Sequence, residues 1–369
     1  MASSAAEQTV QVNTVRGPIP VDELGMTLTH EHLIFDFTKR FTPPEGAAER
    51  KLYGTRVGPS MNWLLADNPF CCFDNGRQDD PLTTAAELGN FSEAGGRTVI
   101  DCTNGDFGRD PLALREISDR SGINVVMGSG WYVHGFHDST TTSAGVDQLT
   151  EELLAEFIDG VGETGLSPGV IGEIGVSPDF TDAEKLRLRA ASRAQRQLGV
   201  PLLVHLPGWQ RRALEVLDIV LGEEGVAPAA VVMCHMDPSG HDLDYQRAVA
   251  DHGVWLEFDM IGMPFHYPGE GQSPAPDQTA AAVAGLIRDG YAARILLSHD
   301  VATKSMLTCN GGNGFGYVPK LFLPRLERHG VTSGVVADLM TANPRRLFSS
   351  SRTGSSIPSS EPRAARPGR

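Results

Sequence analysis

No Cys-x-x-Cys pair occurs among the five cysteines (Cys71, Cys72, Cys102, Cys234, Cys309), and their number is odd. A chain of 369 residues needs no covalent staples, so the thiols read as free and the compartment as a reducing cytoplasm. No run of about 18 apolar residues exists, which excludes a membrane-spanning helix. Met1 to Val12 has neither a basic start nor an apolar centre and does not read as a signal peptide. Basic residues are the minority, 31 Lys and Arg against 46 Asp and Glu for a net charge of −15. That balance argues against nucleic acid or an anionic membrane as the main partner and says nothing specific about a small substrate, because local charge can oppose the global charge. Gly-x-Gly-x-x-Gly, the P-loop and Gly-x-Ser-x-Gly are absent, so a dinucleotide dehydrogenase or a serine α/β-hydrolase has no support.

What is present is a rhythm. After a hairpin or turn over 13–26, short apolar runs bounded by Gly or Pro alternate with helical segments. The first run is Thr27–Phe35. The others lie near 97–103, 123–132, 169–176, 200–206, 230–235, 254–260 and 294–300, with a clear helix between Thr181 and Leu198 capped by Thr181 or Asp182. Eight such units predict parallel strands with crossover helices, a (β/α)8 TIM barrel in the α/β class. The expected organisation is a flexible 1–12, a barrel over 13–348 and a disordered Ser-, Pro- and Arg-rich tail over 349–369. A Pro-, Gly- and aromatic-rich insertion over 38–78, with Trp63, Phe70 and Phe73, follows the first strand and is expected to fold over the mouth of the site.

Thr29-His30-Glu31-His32 ends the first apolar run, and residues two apart on a strand face the same way. Later runs each end on another potential metal ligand: Glu173, His205, His235 and Asp300. These six fall at the carboxyl ends of five strands, where barrel active sites are built. Four imidazoles and two carboxylates exceed the needs of one tetrahedral ion. Two divalent ions bridged by one carboxylate, zinc first and manganese or cobalt next, would use all six and leave room for a bridging hydroxide.

The ordered set Thr29-His30-Glu31-His32, Gly172-Glu173-Ile174-Gly175, His205, His235 and Ser298-His299-Asp300 resembles the phosphotriesterase family of the amidohydrolase superfamily, especially its phosphotriesterase-related branch. The resemblance runs from about Val12 to Phe348. It implies His30, His32 and Asp300 on a buried ion, His205 and His235 on an exposed one, and Glu173 bridging where founding members use a carboxylated lysine. It also implies a small-molecule substrate and, since related barrels are often dimers, a homodimer. The founding enzymes carry an Asp and a His as a proton relay, and those places align with Pro238 and Met260. An ester, lactone or amide is therefore the expected substrate, with Asp300 as the catalytic proton carrier. A phosphotriester hydrolase and a catalytically silent binding barrel are the alternatives.

Tyr132 and His137 match positions that the branch fills with Tyr and His, so substrate contact or loop packing is expected there. Lys304 is a candidate for an anionic substrate group. Gly311-Gly312-Asn313-Gly314 reads as a substrate loop or a turn, and His299 should face away from the site. Cys102 and Cys234 read as small core residues.

Overall fold

The computed structural model describes residues 9–137 and 144–351. Eight parallel strands follow one another round one sheet in chain order. They are β1 (Met26–Glu31), β2 (Gly96–Asp101), β3 (Asn124–Ser129), β4 (Val170–Gly175), β5 (Leu202–His205), β6 (Val231–Met233), β7 (Trp255–Phe258) and β8 (Ile295–Leu297). Helices fill the crossovers, as parallel strands require. The predicted barrel is what forms.

The period of two divides each strand between two apolar layers. Val231 and Met233 of β6 pack outward with the helices, whereas Val232 and Cys234 pack inward with Ile100, Val126, Leu203, Trp255 and Leu296. Cys102 joins the same inner layer. The floor of the barrel is closed by an antiparallel hairpin, Gln11–Thr14 with Gly17–Pro20, and by Leu347 and Phe348 of the last helix, Ala342–Ser350. The ordered unit thus begins before the expected boundary at residue 13. It also runs past 348: buried Ser351 accepts a hydrogen bond from Gln195 at its carbonyl. Residues 1–8 and 352–369, which the flexible-end expectations cover, lie outside the described residues.

Local chemistry explains particular element ends. The helix Asp182–Leu198 starts at a Thr181–Glu184 capping box and stops at Gly199, whose φ of 66° a β-carbon would resist. The first strand is shorter than predicted. Asp101 accepts from the Leu33 amide at 2.6 Å and turns the chain, so Phe35–Asp36 instead pairs antiparallel with Arg77–Gln78. That pair pins both ends of the insertion. Between them the helices Ala47–Tyr53 and Asn62–Asp67 enclose a small core of Met61, Leu65 and Cys72.

Closure of the barrel is a polar seam. The Asp300 amide donates to the His30 carbonyl at 3.2 Å, and the His30 amide donates to Ser298 Oγ at 3.0 Å. The buried Glu31 carboxylate accepts from Ser298 Oγ, the amides of His299 and Val301, and His299 Nδ1, all at 2.7–3.0 Å. His299 Nε2 in turn accepts from the Val318 amide at 2.8 Å, so this ring is turned away from the site. Replacing Glu31 by Ala strands four buried donors and is expected to cost about 3–5 kcal/mol. A denaturant midpoint shift worth under about 1 kcal/mol would show that the seam is not where closure is stabilised.

Candidate metal centre

All six predicted ligands converge at the carboxyl end of the barrel. His30 lies within β1 and His32 just past it, Glu173 lies in β4, and His205 ends β5. His235 and Asp300 follow β6 and β8 in left-handed backbone, with φ of 59° and 52°. Such conformations cost a non-glycine residue about 1–3 kcal/mol and persist only where the surroundings enforce them. Here the His235 amide is fixed by Asp259 at 3.1 Å, and the Asp300 amide by the His30 carbonyl.

Glu173 stands at the centre. Its Oε1 is 3.5 Å from His32 Nε2, while its Oε2 is 2.7 Å from His205 Nδ1, 3.5 Å from His30 Nε2 and 3.6 Å from His235 Nε2. Asp300 Oδ1 lies 3.1 Å from His32 Nε2 and 4.0 Å from His30 Nε2. The donor atoms of His30, His32 and Asp300 lie within 4.8 Å of one another, as do those of His30, Glu173 and His235.

A second tier of side chains decides which nitrogen each ring offers. His30 Nδ1 faces Glu257 and Asp259 at 3.3 Å, His32 Nδ1 pairs with Thr103 at 3.0 Å, and His235 Nδ1 pairs with Asp259 at 2.8 Å. With Nδ1 held by those partners, each ring presents Nε2, whereas His205 presents Nδ1. Asp259 touches a ligand of each half of the site. Asp259→Asn is expected to weaken metal binding by about 10- to 100-fold, read by competition with a chromophoric chelator. Unchanged affinity at both positions would remove that carboxylate from the design.

This donor set fits divalent cations. His30 Nε2 is fully buried and has no hydrogen-bond partner, and His235 Nε2 and His205 Nδ1 face each other at 2.8 Å. Burial works against an ionised Glu173, but His205, His235 and His30 outweigh it and hold the carboxyl well below its usual range. Burial, with His235 nearby, lowers His205 and favours the neutral imidazole that a metal takes. Cys102 and Cys234 stay thiols, since burial pushes Cys102 up to about 12 and Cys234 well above the ordinary thiol range. Cys234 donates to Glu257 at 3.1 Å and belongs to the supporting tier.

Above the candidate ligands lies a cleft lined by His32, Glu173, His205, His235 and Asp300 together with a largely aromatic wall. Tyr132 is part of that wall, its ring 4.8 Å from His205, and burial keeps its phenol protonated. His137 does not line the cleft. Its Nε2 bonds the Tyr132 carbonyl at 2.6 Å, so it braces the loop that carries Tyr132.

Lys304 is not brought to the cleft either. The strand β8 connection turns it outward, where its ammonium is paired with Asp74 at 2.8 Å beside a separate hollow. Met260 does line the cleft. Pro238 does not: it packs on Gly208, where a β-carbon would come within 2.8 Å of its Cγ. The neighbouring Asp237 is buried and accepts from the amides of Asp259 and Met260. The sequence reading missed Glu257 and Asp259, although two acids two residues apart in an apolar strand are a signal of inward-facing function. It also missed Arg40 and Glu270, which carry no motif.

Comparison with known proteins agrees with this geometry. The model of the phosphotriesterase family matches residues 10–348. An N-acetyltaurine hydrolase of Tetraodon nigroviridis is 33% identical over 339 residues, covering 91% of this chain and 97% of the relative. A resiniferatoxin-binding protein of Rhodobacter sphaeroides is 44% identical, with a TM-score of 0.90 over 94% of this chain and 98% of that one. A mutant of a phosphotriesterase-like lactonase from Deinococcus radiodurans is 28% identical, with a TM-score of 0.71 over 91% and 99%. The family depends on binuclear metal centres, and the clustered ligands of this chain match that requirement. An eight-stranded barrel matched by the family model over residues 10–348, with a hydrolase relative 33% identical over 91% of its length, makes this chain a hydrolase of the phosphotriesterase family.

Proposed function

We propose that this protein hydrolyses a carboxylic ester, lactone or amide bond of a small molecule at a centre of two divalent ions. His30, His32 and Asp300 would hold one ion, His205 and His235 the other, and Glu173 both. Zinc suits this donor set best, with manganese or cobalt as substitutes. The observation that carries the reading is the single Glu173 carboxylate, with one oxygen toward His32 and the other toward His30, His205 and His235.

When bound, such ions activate water near neutral pH and polarise the scissile carbonyl. The remaining work falls to the chain. Asp300 lines the cleft, and its side chain is 14% exposed. Burial raises its pKa, but His32, His235 and His30 overcome that and keep the carboxylate ionised, so it can accept the nucleophile's proton. It can then return that proton to the leaving alcohol or amine. Tyr132, buried beside His205, orients the bound carbonyl compound and keeps water out.

Met260, which lines the cleft where a proton relay would stand, disfavours phosphotriesters as natural substrates. The name of the Rhodobacter sphaeroides relative favours a second reading, a binding barrel. The complete ligand set argues for turnover. All five cysteines are unpaired, in keeping with a reducing cytoplasm, and no helix among the described residues is long and apolar enough to cross a membrane. A homodimer remains part of the proposal.

The test is a matched panel of a lactone, an aryl ester, N-acyl amino compounds and an aryl phosphotriester, each with and without chelator. One dominant, chelator-sensitive carbonyl class is the expected result. Dominance of the phosphotriester would overturn the substrate reading, and ligand binding with no turnover would establish the binding barrel.

A further inference from the structure

The rim of the cleft is crossed by one ion pair. Arg40, from the start of the insertion after β1, donates to Glu270 at 2.8 Å; Glu270 comes from the turn of a small hairpin, His266–Tyr267 with Gly271–Gln272. Both side chains line the cleft, and about a third of each is exposed, 33% and 28%. Neither residue is placed casually. The guanidinium lies 4.8 Å from the Phe70 ring centroid, and Phe70 packs on Tyr267 at 6.0 Å. The hairpin is seated on Trp209 so closely that a β-carbon at Gly271 would come within 2.2 Å of the indole nitrogen.

Among the described residues, Arg40 is the only lysine or arginine along the cleft, and a tethered carboxylate already occupies it. An incoming anion must compete with Glu270 for the guanidinium and is repelled by the carboxylate it displaces. A neutral group meets no such opposition. It meets Phe37, Phe41, Phe70, Trp209 and Tyr267, flat faces suited to an aromatic or bulky apolar group.

From this arrangement we infer that Glu270 is a specificity-determining residue: by masking Arg40, it restricts the site to uncharged carbonyl substrates with an aromatic or bulky apolar group. The inference rests on the hydrolase reading above. It also separates this chain from an enzyme whose substrate carries a fixed negative charge, because Glu270→Gln should uncover Arg40 for such substrates.

The experiment uses the metal-loaded enzyme with phenyl acetate and 4-sulfophenyl acetate, which share a scissile bond and differ in charge. Wild type is expected to favour the neutral ester in kcat/KM by about tenfold or more. Glu270→Gln is expected to raise kcat/KM for the sulfonate about tenfold and to move the neutral ester less than about threefold. A tenfold change corresponds to about 1.4 kcal/mol.

Calorimetric binding of 4-methoxybenzenesulfonate and its uncharged methyl sulfone to both proteins reads the same selectivity without turnover. Wild type should bind the sulfone more tightly, and the variant should narrow or reverse that order. Equal or inverted preference in wild type, or an unmoved ratio in the variant, overturns the selector role. Loss of turnover on both esters with the binding selectivity intact would count against the hydrolase reading alone.

Discussion

Asp300→Asn is expected to lower kcat by about 10²- to 10⁴-fold, the usual contribution of a positioned proton carrier, with a much smaller change in KM. The amide keeps the shape and one oxygen donor of the carboxylate, so the geometry around His32 and His30 survives. What it loses is the ability to accept a proton. The backbone cannot compensate, because the left-handed turn at Asp300 is fixed by the hydrogen bond that its N–H donates to the His30 carbonyl. Metal content must be measured beside the rate. Full turnover with both ions bound would falsify the assignment, and a lost ion would require the rate to be compared at saturating metal.

The second large effect concerns Glu173. Glu173→Ala removes the one group in contact with every histidine of the site and leaves four imidazoles around a void. Elemental analysis is expected to fall from two ions per chain to one or fewer, and hydrolysis to the uncatalysed background. Two tightly held ions and preserved activity in this variant would show that no carboxylate bridge is needed.

Most of this architecture was legible because barrel strands obey strong periodic rules. Val231 to Met233 and Ile295 to Leu297 are short apolar runs alternating with helical segments, as buried parallel strands do, and the candidate ligand after each is placed by the strand it follows. The convergence of the six candidate ligands at one end of the barrel could be read for that reason. Substrate contacts were less legible, since loop side chains point where local partners draw them. Lys304 follows Asp300 closely in sequence, yet Asp74 of the distant insertion claims its ammonium. His137 is legible only as either a substrate contact or a loop-packing residue, and its ring nitrogen bonds the Tyr132 carbonyl. Arg40 and Glu270 meet only because an insertion and a hairpin fold toward each other over the same cleft, a pairing with no local sequence signature.

The seam between the first and last strands has a consequence for how the protein is made. His30 leaves the ribosome early and Asp300 late, yet the two are hydrogen-bonded neighbours in the finished barrel. During synthesis the growing chain can display the histidines but cannot assemble the cluster of His30, His32 and Asp300. A centre that includes Asp300 would be completed only once the last strand docks.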